Sequence, residues 1–191
     1  MPLLLSRSSE VIFAPDLLGL QMLAGRADRL AFWLTHLGEP WLGLPLFALG
    51  LLVFRLRSGF PVVRACGAGL LLLLVVQGLK FGIDRPRPGA VLPQVSELPG
   101  GQLKARAMPS GHSATGAFVF AVLGGLLWRR RRRLIALTVG LGLPLIIGWS
   151  RVAIAAHWPS DVLFGLMLGF VLAMVALGRA SKHTEPTGMS E

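Results

Sequence analysis

Three short segments of this chain concentrate residues able to handle a phosphate group. "KFGIDRPRP" runs from Lys80 to Pro88, "PSGHS" from Pro109 to Ser113, and "SRVAIAAHWPSD" from Ser150 to Asp161. Lys80, Arg85, Arg87 and Arg151 supply cationic donors, and arginine grips phosphate oxygens through two parallel bonds. Pro109 favours a helix start, so Ser110 and Gly111 would offer backbone N–H groups at a helix N-terminus, where anions bind. His112 and His157 add groups that can attack phosphorus or move protons. Asp161, four residues after His157, can hold one ring nitrogen and leave the other for substrate.

Each residue also has an ordinary explanation. A histidine at a helix end is more often structural than catalytic. Asp84 would pair with Arg85 or Arg87, Trp158 would anchor at a membrane interface, and Ser150 would bond locally. Together, the three segments describe an anion pocket that contains a nucleophile and an acid. A metal site from His112, His157 and Asp161 fits poorly, because the sequence has neither H-E-x-x-H nor a cysteine cluster, and nearby cations would repel a divalent ion. A serine protease using Ser110 and His157 would leave the arginines unexplained. We therefore expect no metal and no cofactor.

The elements that position these groups lie in a membrane. Of the 191 residues, 53% are hydrophobic and 15% charged, where a soluble domain carries about 25% charged residues, and the mean hydropathy is +0.66. Such apolar runs make nucleic acid an unsuitable partner despite a formal charge of +10. Cys66 is the sole cysteine, which excludes a disulfide framework within the chain. A spanning helix needs about 20 apolar residues, and stretches near 40–54, 62–79, 113–128, 134–149 and 162–178 qualify or nearly so. The expected fold is all-α, a polytopic membrane bundle of five spans with an N-terminal interfacial or re-entrant segment, itself a candidate sixth span. One domain covers 1–191, divided into the N-terminal segment 1–39, the bundle 40–178 and a flexible tail 179–191.

Alternating spans place the five arginines at 129–133 and the C-terminal tail on one side, which the preference of basic residues for short cytoplasmic loops makes cytoplasmic. Lys80, Arg85, Arg87, Lys104, Arg106 and Arg151 fall on the opposite, periplasmic or extracellular face. Charges there run against that preference and need a functional reason.

The three segments resemble the motifs of the type 2 phosphatidic acid phosphatase superfamily, whose membrane branch comprises lipid phosphate phosphatases. Lysine, six residues and Arg-Pro read here as Lys80 and Arg87-Pro88. Pro-Ser-Gly-His is present at 109–112. Ser-Arg, five residues, His, three residues and Asp read as Ser150-Arg151, His157 and Asp161. The matches come in order without a substitution and extend over about half the chain. The resemblance implies that His157 is a nucleophile forming a phosphohistidine and that Asp161 orients it. It makes His112 the acid for the leaving group and Lys80, Arg87, Ser110, Gly111 and Arg151 the phosphate-binding groups, without a metal. Arg85 stands at an unspecified position of the first motif, as a candidate second phosphate contact. Members commonly have six spans, and here the segment before residue 40 is short and broken. The family's soluble haloperoxidases are excluded by the apolar spans.

The expected function is hydrolysis of a terminal phosphate from a lipid phosphate or pyrophosphate at the outer face of a bacterial inner membrane. Polyprenyl pyrophosphate, phosphatidylglycerophosphate, phosphatidic acid and a lipid A phosphate are the candidate substrates. The alternatives are a lipid phosphotransferase using the same site and a non-catalytic protein that binds or transports anionic lipids. The partners are the lipid substrate and the bilayer, and the sequence does not specify an oligomeric state.

Overall fold

The computed structural model describes residues 13–26, 28–58, 62–103, 106–129 and 131–178. Lys104, Arg130, Arg179 and Lys182, which the sequence assigns to the two membrane faces, lie outside the described residues, as do residues 1–12 and the tail from 179 onward.

Every regular element among the described residues is helical: α1 (Ala14–Leu23), α2 (Asp28–Thr35), α3 (Pro40–Ser58), α4 (Val62–Ile83), the single turn α5 (Pro88–Val91), α6 (Gly111–Arg129), α7 (Arg133–Leu137), α8 (Leu143–Ala153) and α9 (Pro159–Leu177). Spanning lipid this way leaves no backbone group unpaired within the hydrocarbon. Among the described residues, four helical stretches are long and apolar enough to cross a membrane: Val62–Val91, Gly111–Trp128, Arg133–Ala153 and Pro159–Leu177. A fifth span arises if Arg29–Gly38 and Trp41–Val53, bent by 46° at their junction, cross as one. The span expected near 40–54 is thus the second arm of a bent pair. The ten residues of α1 measure about 15 Å, half a hydrocarbon core.

The span expected near 134–149 is one path through α7, a π-helical turn at Thr138–Gly142, and α8. Pro144 explains the wide turn. Proline lacks an N–H and crowds the carbonyl four residues back, so the helix loosens there.

At the centre lies α6, which touches α3, α4, α7, α8 and α9. Within the spanning windows, 56% of α6 is buried against 22% of α4, so α4 turns most of its leucines to lipid. Lipid tails are as apolar as leucine, so close backbone packing rather than hydrophobicity must join these helices. Along α9, Gly165, Gly169, Ala173 and Ala176 form the buried stripe at helical spacing. A Cβ on Gly165 would come 2.5 Å from the Ser110 carbonyl oxygen, so only glycine permits this approach. At the far end, Arg64 on α4 donates from Nε to the Ala176 carbonyl and from Nη2 to the Leu177 carbonyl, both at 3.0 Å. It satisfies the last turn of α9, where a cation also suits the helix dipole.

Candidate active site

The end of the bundle opposite Arg64 gathers the three segments. Lys80 lies in the last turn of α4, and a Cβ on Gly111, the first residue of α6, would sit 3.9 Å from its Nζ. The Ser110 N–H donates to the Asp161 carbonyl at 3.0 Å, tying the entry of α6 to the first turn of α9. Arg87 is buried and donates from Nη1 to the Ala156 carbonyl at 2.8 Å, which ties the loop after α4 to the one before His157. Arg151, also buried, closes α8. Its Nη1 donates to Thr35 Oγ1 on α2, while its Nε has no partner among the described residues. Ser150 bonds locally, Oγ to the Ile147 carbonyl at 2.7 Å.

His157 is 1% exposed, and its Nδ1 stands 3.6 Å from Asp161 Oδ2. That separation suits an ion pair but is too long for a hydrogen bond, and Nδ1 has no hydrogen-bond partner among the described residues. Burial pushes the His157 pKa well below its ordinary value, and the positive charges of Arg151, Arg87 and Lys80 push it further down. The ring is held neutral. Asp161 is fixed by other partners: Oδ2 accepts the Trp158 N–H at 2.9 Å and Oδ1 accepts Arg85 Nη1 at 2.8 Å. It is the third residue of α9 and reaches back to the residue that precedes the helix, which satisfies an orphan donor there. His112 Nε2 lies 3.0 Å from Glu39 Oε1, at ion-pair separation but without an aligned hydrogen bond. Gly38, beside Glu39, packs on the start of α6, and a Cβ there would come 3.1 Å from the His112 carbonyl.

A buried, neutral His157 near Lys80, Arg87 and Arg151, beside the N-terminus of α6 with its His112, is an arrangement suited to an anion. A model of the PAP2 superfamily matches residues 61–185, a stretch that contains all three segments. The chain belongs to the PAP2 superfamily. Phosphatidylglycerophosphatase B of Bacillus subtilis is 30% identical over 158 residues, covering 76% of this chain and 71% of the relative. A lipid A 1-phosphatase of Rhizobium johnstonii is 31% identical over 159 residues, 70% of this chain and 63% of the relative. The crystal structure of a transmembrane PAP2-type phosphatidylglycerolphosphate phosphatase from Bacillus subtilis superposes with a TM-score of 0.69 over 85% of this chain and 81% of that one, at 24% identity. This PAP2 chain is an integral membrane lipid phosphatase of bacterial type.

Several PAP2 site neighbours differ from expectation. Arg85, the candidate second phosphate contact, is engaged by two carboxylates, Asp16 Oδ2 at 2.7 Å and Asp161 Oδ1 at 2.8 Å. Asp84 pairs with Arg106 instead of Arg85 or Arg87. It has a φ of 45°, a left-handed turn that aspartate tolerates. Trp158 is no interfacial anchor: it is 2% exposed, packs with Leu20, and donates Nε1 to the Pro86 carbonyl at 2.9 Å. Sequence reasoning missed Asp16, Thr35 and Glu39, which all come from the N-terminal segment. The buried aspartate inside an apolar stretch was the one available signal. Among the described residues, no three of His, Cys, Asp and Glu cluster as a metal site.

Proposed function

We propose that this PAP2 protein removes the terminal phosphate of a lipid phosphate or pyrophosphate by way of a phosphohistidine at His157. The observation that carries the reading is a buried, neutral His157 whose Nδ1 faces Asp161 Oδ2, in the field of Lys80, Arg87 and Arg151. The Nδ1 proton turns to the carboxylate and Nε2 attacks phosphorus. Long contacts of this kind in a free enzyme tighten when substrate binds. As the N–P bond forms and the ester or anhydride P–O bond breaks, His112 gives its proton to the leaving oxygen. Lys80, Arg87, Arg151 and the N–H groups of Ser110 and Gly111 hold the three phosphoryl oxygens. A water then attacks the phosphohistidine, His112 takes its proton, inorganic phosphate leaves and His157 is free again.

The relatives' names support two substrate types, phosphatidylglycerophosphate and the 1-phosphate of lipid A. The arginines at 129–133 support a cytoplasmic assignment for that end, and hence an outward-facing site. The test is phosphate release by the purified chain from a panel of lipid mono- and pyrophosphates, in excess EDTA, with His157→Ala beside it. Release that survives EDTA and is lost in His157→Ala is expected, together with acid-labile phosphate on the wild-type protein. Lipid binding without release from any substrate would overturn the reading. Loss of release with EDTA would replace its metal-free chemistry.

A further inference from the structure

Asp16 is a carboxylate with no obvious business inside the bundle. It sits in the first turn of α1, on a helix too short to span, yet it is 1% exposed. Its Oδ1 accepts the Ser160 backbone N–H at 2.7 Å, and Oδ2 accepts the Ser160 hydroxyl and Arg85 Nη2, each at 2.7 Å. Ser160 stands in the first turn of α9, one residue before Asp161, so Asp16 satisfies an orphan N–H of that helix from a different part of the chain.

Arg85 continues the connection. Its Nη1 donates to the Ser160 hydroxyl at 2.7 Å and to Asp161 Oδ1 at 2.8 Å. Its guanidinium lies 5.4 Å from the centre of the Trp158 ring. The planar fork of arginine is thus spent on two carboxylates, Asp16 on one side and Asp161 on the other. With Oδ1 taken by Arg85, Asp161 turns Oδ2 toward the Trp158 N–H and His157 Nδ1.

We propose that Asp16 and Arg85 are positioning residues for the nucleophile: Asp16 locks Arg85 and the first turn of α9, and Arg85 fixes the rotamer of Asp161 that faces His157. The first helix is then part of the catalytic machinery, and Arg85 serves the nucleophile while Arg87 and Arg151 serve the phosphate. The inference rests on the roles of His157 and Asp161 proposed above. A lysine at 85 has a single ammonium and cannot bridge both carboxylates with the same geometry. An asparagine at 16 keeps an acceptor for the Ser160 N–H but loses the charge that holds Arg85.

The test uses the full chain purified in detergent, with dioctanoyl phosphatidic acid as substrate and inorganic phosphate as competitive inhibitor. Asp16→Asn and Arg85→Lys should each lower kcat by about 10- to 100-fold, the usual range for partners that orient a reacting group. The inhibition constant for phosphate should stay at the wild-type value, because the pocket is intact. Since both residues act through Asp161, the double variant should be no slower than the slower single variant. If Asp16→Asn does not fold, Arg85→Lys carries the same split between kcat and inhibitor binding. Wild-type kcat in both folded variants overturns the inference alone, as does a loss in Arg85→Lys that appears as weaker phosphate inhibition. Turnover that survives His157→Ala overturns the reading of the site and this inference with it.

Discussion

The nucleophile proposed at His157 must be neutral when substrate arrives, and the surroundings of that ring favour the neutral form. A fully enclosed ring near Arg151, Arg87 and Lys80 cannot readily accept another positive charge. Lowering the pKa favours the neutral form, so between the depressed value and the ordinary one near 6.5 an exposed histidine would be cationic while His157 is not. In histidine nitrogen NMR of the detergent-solubilised protein at pH 6, the signal that disappears in His157→Gln should have the shifts of a neutral ring. An imidazolium signal at that pH would contradict the assignment. His112, proposed to carry the proton to the leaving oxygen, should behave differently on substitution. His112→Asn should lower kcat by about 10²- to 10⁴-fold, the range for a positioned acid, with little change in phosphate inhibition, in steady-state assays of phosphate release.

The residues meet because two helices, α4 and α8, end where two others, α6 and α9, begin. The tightest junction joins α6 and α9, where the Ser110 N–H bonds the Asp161 carbonyl and Gly165 lies under the Ser110 carbonyl. Replacing a mid-helix glycine with alanine normally stabilises a helix by about 1 kcal/mol. At Gly165 the added carbon would stand 2.5 Å from a backbone oxygen, and overpacking of this kind costs about 1–3 kcal/mol. The backbone cannot yield as a flexible side chain would, so the clash should win. Gly165→Ala should lower the thermal midpoint in detergent and reduce activity, whereas Gly67→Ala, with no atom of the described residues within 4 Å of the new carbon, should leave both near wild type. A Gly165→Ala protein as stable as wild type would mean that the helices can separate without cost.

Across the whole molecule the two ends differ in purpose. One holds the proposed phosphate pocket, and the other holds Arg64 against the end of α9 and the arginines beyond α6. The proposed topology places the pocket outside the cell membrane. In a Cys66→Ala background, Gln102→Cys should react with a membrane-impermeant maleimide in intact spheroplasts, and Arg132→Cys only after permeabilisation. The reverse pattern would place the pocket in the cytoplasm. Both positions are exposed.

Much of this protein was legible in the order of its residues. Long apolar stretches have few physical solutions other than spanning helices, which gave the all-α membrane fold. The three motif segments owe their spacing to helix ends close in the chain: Lys80 to Arg87 is the exit of α4, Pro109 to His112 the entry of α6, and Ser150 to Asp161 the short link from α8 to α9. Local geometry of that kind is written in the sequence. Only the tertiary structure decided which carboxylate meets which cation. Asp84, adjacent to Arg85 in the chain, pairs with Arg106, while Arg85 reaches Asp16 across 69 positions. Thr35 finds Arg151 across 116 positions and Asp16 finds Ser160 across 144. Such partners depend on how α1 and α2 pack against α8 and α9, and a stripe of small residues marks which face of a helix packs without saying which distant helix it meets.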